Sequence, residues 1–388
     1  MSISWTDDQK KVIDTRERNL LVSAAAGSGK TAVLVERILT MITDETRPVD
    51  VDRLLITTFT KAAAGEMKER IGKALQKRLE EDPGNTWIQR QEALVSRAQI
   101  TTIHGFCLYV IRNYFHTIGL NPSFRIADEG EMRLLKQDTV DELLEEAHKE
   151  GRPEFIRFAE SYGSGNRGNG IAELILKLYE YAVASPQPVR WLTSCAAMYQ
   201  MPEGASWKDF AGADAVLAEL RTAAGDCRKQ IQRALAIAGA PFGPRAYEEA
   251  LHGDMELLEE LMECTSVEAY EELVTKIRFQ RLPSRRSKAM TDADDTLCGQ
   301  VMDIRNGVKD ALKRLEKQYF SLPGETAMEQ MRGTAEHVQI FTELTLRFQE
   351  RLNEKKRKKN ILDFTDQEHL ALQILTREED GKLVPSET

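Results

Sequence analysis

Four residues within five positions, Gly27, Gly29, Lys30 and Thr31, carry the clearest chemistry in the 388-residue chain. They close the run Ala24-Ala25-Ala26-Gly27-Ser28-Gly29-Lys30-Thr31. Glycine reaches backbone conformations closed to other residues, so the chain can curl and aim successive N–H groups at one phosphate. A helix opening at Lys30 adds the positive end of its dipole. The Lys30 ammonium suits β- and γ-phosphate oxygens, and the Thr31 hydroxyl suits Mg²⁺. Lys30 and Thr31 are therefore the catalytic candidates, and Thr31 is the metal ligand. Ala26, Gly27, Ser28, Gly29, Lys30 and Thr31 form the cofactor-binding set. Gln9 joins that set, because a glutamine can both donate to and accept from an adenine edge. The expected cofactors are ATP and Mg²⁺. The strict phosphate-loop pattern places glycine where this chain has Ala24.

Such a loop needs a strand before it and a helix after it. Leu20-Leu21-Val22 supplies the apolar run, and Ala32–Leu39 the helical pattern. Upstream, residues 5–17 read as a helix capped by Thr6. Leu54–Phe59 reads as a strand ending at Thr60, a helix N-cap, and Lys61–Glu80 places Met67, Ile71, Ala74, Leu75 and Leu79 on one face. Asp82-Pro83-Gly84-Asn85 reads as a turn. Ala98–Ile103 reads as a third strand running into a short helix, His104–Tyr114. Three strand–helix units in succession imply an α/β domain built on a parallel sheet.

Near residue 125 the pattern becomes helical throughout. Asp128–Glu131 opens a long helix to Lys149, and further helical periodicity covers about 171–183, 207–239, 244–263, 266–279, 293–317 and 325–356. The glycine-rich stretch 163–170 reads as a connector, because no Gly-Lys-Ser/Thr follows it. Arginine alternates with Phe279 and Pro283 across 278–288, a pattern suited to a nucleic-acid strand. The run Lys355–Lys359 reads as a solvated face.

Net charge is −9, yet residues 1–125 hold 18 basic and 15 acidic side chains against 35 and 47 in the remainder. Local patches decide nucleic-acid binding, so the acidic total does not exclude it. Five cysteines, with no C-x-x-C pair, fit reduced thiols in a cytoplasmic protein and argue against a zinc or iron–sulfur site. Neither a signal-peptide pattern nor a membrane-length apolar run is present, so no membrane partner is expected.

Taken together, these pieces resemble the superfamily 1 DNA helicases of the UvrD/RecB type. Trp5–Gln9 resembles the family's Q motif, residues 24–31 its motif I, Thr57–Met67 its motif Ia and Thr101–Cys107 its motif Ib. Gly29–Ile38, Arg281-Leu282-Pro283 and Ile361–Asp366 are similar to the A subunits of AddAB-type ATP-dependent helicase/nucleases. The resemblance covers the whole chain but only the front third of such a protein. It implies an incomplete P-loop, RecA-like parallel-sheet domain bearing a large all-helical insertion: 1–125 as the first part, 126–355 as the insertion, 356–388 as the return. It implies single-strand contacts at Phe59, Thr60, Thr102 and His104; Arg281, Arg285 and Arg286 complete the candidate DNA set. It also implies 3′→5′ translocation on single-stranded DNA, exonuclease activity, a role in recombinational repair of double-strand breaks, contacts with single- and double-stranded DNA, and a B-subunit partner.

Two departures from the family stand out: Lys61 replaces the usual Asn, and Ala32 replaces an adenine-stacking Arg found in some relatives. Hydrolysis in this family needs an acidic pair on a later strand. Asp128-Glu129 follows too short a run for that role, and Asp363 has no Glu after it. The chain is accordingly expected to be the N-terminal part of a longer helicase/nuclease polypeptide, and to be inactive alone. The alternative is a P-loop module that binds nucleotide without motor activity.

Overall fold

The computed structural model describes residues 4–25, 27–44, 46–47, 49–163 and 170–387. They separate into two compact units, one of residues 1–134 and 354–388, the other of 135–353. The first unit opens with α1 (Asp7–Asp14) and α2 (Lys30–Ile42). Then come β1 (Leu55–Thr58), α3 (Lys61–Glu81), α4 (Thr86–Val95), β2 (Gln99–Thr102) and α5 (Ile103–Tyr114). The short β3 (Arg125–Ile126) precedes α6 (Glu129–Glu150).

Thr6 starts α1 with a capping box: its hydroxyl accepts from the Gln9 N–H while the Gln9 side chain accepts from the Thr6 N–H. β1 and β2 pair in parallel, from Leu55 opposite Gln99 to Thr58 opposite Thr102. Parallel neighbours need a crossover, which α3 and α4 provide. Ile56 and Ile100 point into a core shared with Val35, Ile38 and Ile42 of α2 and Met67, Ile71 and Leu75 of α3.

One expectation for this unit needs correction. Leu20-Leu21-Val22 forms no strand, and Leu21 is 98% exposed. A strand is sustained by a neighbour's ladder, and β1 and β2 pair only with each other. After the turn at 82–85 comes a helix absent from the sequence reading: Asn85 caps α4 by accepting from the Ile88 N–H.

The second unit is helical. Its elements are α7 (Pro153–Tyr162), α8 (Gly170–Val183), α9 (Pro188–Ala197), α10 (Ala213–Ala238), α11 (Glu248–Glu263), α12 (Val267–Lys276), α13 (Asp295–Tyr319) and α14 (Gly324–Gly333). α15 (Ala335–Lys359) leads back to the first unit. Among the described residues of this unit there is no strand. α10 packs against α11 and α13 around Leu220, Ile231, Leu251, Leu258 and Val301. α7 and α9 fall outside the expected helical stretches; each begins with a proline, which suits a helix's first turn. The single helix expected over 325–356 is two, broken at Thr334. Of the expected connector 163–170, residues 164–169 lie outside the described set.

The chain ends with β4 (Ile361–Leu362), α16 (Phe364–Leu375) and the hairpin β5 (Thr376–Glu379) and β6 (Lys382–Pro385). β4 pairs in parallel with β3, and α16 packs on α5. Asp380 and Gly381 turn the hairpin with φ of 49° and 73°, the left-handed geometry an Asp-Gly turn supplies.

Candidate functional site

The glycine loop has the backbone its sequence demands. Gly27 and Gly29 both sit at φ 80°, where a side chain is strained, and α2 opens directly from Gly29. The first turn of α2 carries no acidic residue, so its unpaired N–H groups and dipole end face no competing carboxylate of their own helix. Thr31 lies exposed in that turn. Lys30 folds back into the loop: Nζ donates to the carbonyls of Ala24 at 2.8 Å and Ala25 at 2.7 Å. Ala26 lies outside the described residues.

Gln9 reaches the loop from α1. Its Nε2 donates to the Ser28 carbonyl at 3.2 Å, while Oε1 serves the capping box. Both ends of the expected adenine reader are therefore engaged within the protein. Beside them lies a cavity of about 410 Å³ walled by Val12, Val22, Val33 and Leu34, with Gln9 and Lys30 at its edge. An apolar chamber of this size with a few polar groups fits a nucleotide's base and ribose. The residues present thus fit a nucleotide: the start of α2 could receive its phosphates, and the exposed Thr31 hydroxyl could ligate Mg²⁺.

A second cluster forms where β1 and β2 end. Phe59 follows β1 and is 99% exposed. Thr60 caps α3, its hydroxyl accepting from the Ala63 N–H at 3.1 Å. Thr102 caps α5 in the same way through the Gly105 N–H at 3.1 Å. Because the strands are parallel and in register, both hydroxyl-bearing ends emerge at one edge, where ligands of parallel sheets gather. His104 sits in the first turn of α5. Its ring meets Phe364 edge-on at 5.1 Å, and its Nε2 lies 3.3 Å from Glu368 Oε1.

The two basic clusters come out differently from expectation. Arg281 and Arg286 are exposed, whereas Arg285 is held within the fold by an ion pair to Asp295 and by Nη1 lying 2.8 Å from Cys298 Sγ. Phe279 packs on the helical core, with the Arg305 guanidinium 5.6 Å and the Lys309 ammonium 5.1 Å from its ring centre. It is therefore not a free platform for bases. In the 355–359 run, Lys356 is buried rather than solvated, at 2.5 Å from Asp366 and 3.3 Å from Asp363. Phe364, Glu368 and this buried triad escape a sequence reading. The only signal is the Asp363-x-x-Asp366 spacing, which is a capping box in the structure.

Comparison with known proteins adds an independent line. The family model for the UvrD/REP helicase N-terminal domain matches residues 5–384. The chain belongs to the UvrD/REP helicase N-terminal domain family. Three curated relatives of this UvrD/REP chain share one description, the A subunit of an ATP-dependent helicase/nuclease. The protein so described from Lachnoclostridium phytofermentans is 44% identical over 392 residues, covering 99% of this chain. Those from Bacillus licheniformis and Clostridium acetobutylicum are 40% and 38% identical, each again across 99% of the chain. The UvrD/REP chain spans 28%, 31% and 32% of the lengths of these three relatives. Among the described residues no helix is long and apolar enough to cross a membrane.

Proposed function

We propose that this chain is the ATP- and DNA-binding portion of one subunit of an ATP-dependent helicase/nuclease. The whole protein would translocate 3′→5′ on single-stranded DNA, with exonuclease activity, and act in the cytoplasm with a B-subunit partner in recombinational repair of double-strand breaks. Residues 1–125 and 356–388 would be the RecA-like domain and 126–355 its helical insertion. The observation that carries the reading is the left-handed glycine loop opening into α2 at Lys30, within a UvrD/REP match across residues 5–384.

In this reading Lys30 exchanges the Ala24 and Ala25 carbonyls for β- and γ-phosphate oxygens, and Thr31 ligates Mg²⁺. The metal supplies charge neutralisation along the phosphates when bound. Gln9 stands at the base and Ser28 in the loop. Phe59 stacks on an unpaired base, Thr60 and Thr102 hold phosphates, and His104 contacts the strand beside them. Arg281 and Arg286 attract duplex or single-stranded phosphates, with Arg285 bracing their loop.

Equilibrium titrations with Mg·ATP and with an oligo-dT strand test this directly. The expected result is two separable bindings, nucleotide weakened in Lys30→Ala and DNA weakened in Phe59→Ala. Failure of the wild-type chain to bind Mg·ATP would overturn it.

A further inference from the structure

α5 and α16 meet along Cys107, Val110 and Ile111 on one side and Ala371 and Ile374 on the other. That packing brings together residues some 260 positions apart in the chain. His104 lies in the first turn of α5. Phe364 and Glu368, four residues apart, lie on one face of α16. Phe364 sets its ring at 66° to the imidazole, and the Glu368 carboxylate meets Nε2 at 3.3 Å. The histidine is thus held on an edge and on one nitrogen by a single helix.

That helix is itself anchored. Asp363 and Asp366 cap it reciprocally, at 2.8 Å in each direction, and the buried Lys356 ties both carboxylates to the end of α15. A side chain held by a fixed helix stays in one rotamer, which is what a preorganised contact requires.

The Glu368 carboxylate lies against the Nε2 side of the ring, so that edge is held and the Nδ1 edge is left for a ligand. We propose that Glu368 is a positioning residue for His104, fixing the orientation of its ring for a single-stranded polynucleotide at the ends of β1 and β2. Phe364 completes the bracket by its edge contact. This rests on the strand-contact reading of His104 given above.

The test uses the 388-residue chain, fluorescence anisotropy with a labelled oligo-dT, and nitrogen-15 NMR of its six histidines. His104→Ala is expected to weaken binding about tenfold, the loss of one good hydrogen bond. Glu368→Ala should weaken it about three- to tenfold, and the double variant no more than His104→Ala alone. Glu368→Gln should recover most of the affinity, because the amide keeps a polar group of the same size against the Nε2 side of the ring. The NMR should show the His104 ring resonances displaced in Glu368→Ala and returned towards their wild-type positions in Glu368→Gln. Weakening by His104→Ala with none by Glu368→Ala would overturn the proposal and leave the strand-contact reading intact. So would unchanged His104 ring resonances in Glu368→Ala, or additive losses in the double variant. Wild-type affinity in His104→Ala would overturn both.

Discussion

Thr58 and Thr102 stand opposite each other on the last rung of the β1–β2 pair. Beyond that rung both chains turn into helices whose N-caps are threonines, Thr60 for α3 and Thr102 itself for α5. In-register parallel pairing is what makes two sequence-distant hydroxyl clusters one surface. Phe59 projects from that surface with nothing packed on it.

Phe59→Ala should therefore leave stability within about 0.5 kcal/mol of wild type, because the ring buries nothing on folding. Affinity for oligo-dT should fall by about 1–3 kcal/mol, the usual worth of one stacked base. Anisotropy titrations and a urea unfolding curve on the same preparation check both halves. A stability loss with unchanged DNA affinity would place the ring's role elsewhere.

Lys30→Ala should weaken Mg·ATP binding by about one to two decades, the range for a lost charge-assisted contact. The lower end is expected, because Lys30 surrenders two carbonyl contacts to reach the phosphates. Calorimetric titration of both proteins decides it, and equal affinity would remove the loop from consideration.

Arg305 and Asp254 form a bidentate pair inside the helical unit, 3% and 1% exposed, with Nη2 also donating to the Gln280 carbonyl at 2.7 Å. Arg305→Met should cost about 3–5 kcal/mol, because it leaves Asp254 buried without a counter-charge. Replacing Asp254 by Leu in the same chain should recover much of that loss. Denaturant midpoints followed by circular dichroism measure each step; a double variant no better than the single one would contradict the argument.

Lys356→Met should act through pH. Burial, then the neighbouring Asp363 charge, push the Asp366 carboxyl above its usual 3.8 despite the pull of Lys356. A carboxyl whose folded pKa is raised favours folding below its unfolded pKa, and that contribution is lost as pH rises through the raised value. Without Lys356 the cost of the charged form grows, so the variant should lose about 3–5 kcal/mol at neutral pH. Part of the loss should return on acidification as Asp366 takes up its proton. Urea midpoints at about pH 7 and about pH 5 test the sign, and equal deficits at both would refute it.

The sequence alone determined the local chemistry. The phosphate-loop pattern of Gly27, Gly29, Lys30 and Thr31 lies in adjacent backbone and side chains, so their spacing suffices to single out the candidate site. The Thr6 and Thr60 caps were legible for the same reason: each bonds within three residues of itself. The core face of α3 followed from its apolar period. What the tertiary structure decided was partnership over distance. Leu20–Val22 has the composition of a strand, but a strand is made by its neighbour, and these residues pair with none among the described ones. Lys356 has the look of a solvated charge run until Asp363 and Asp366 fold onto it. Phe279 and Arg285 read as free for DNA until α13 engages them. His104 gained Phe364 and Glu368 from a helix some 260 residues downstream, through packing of α5 on α16 that no local pattern encodes.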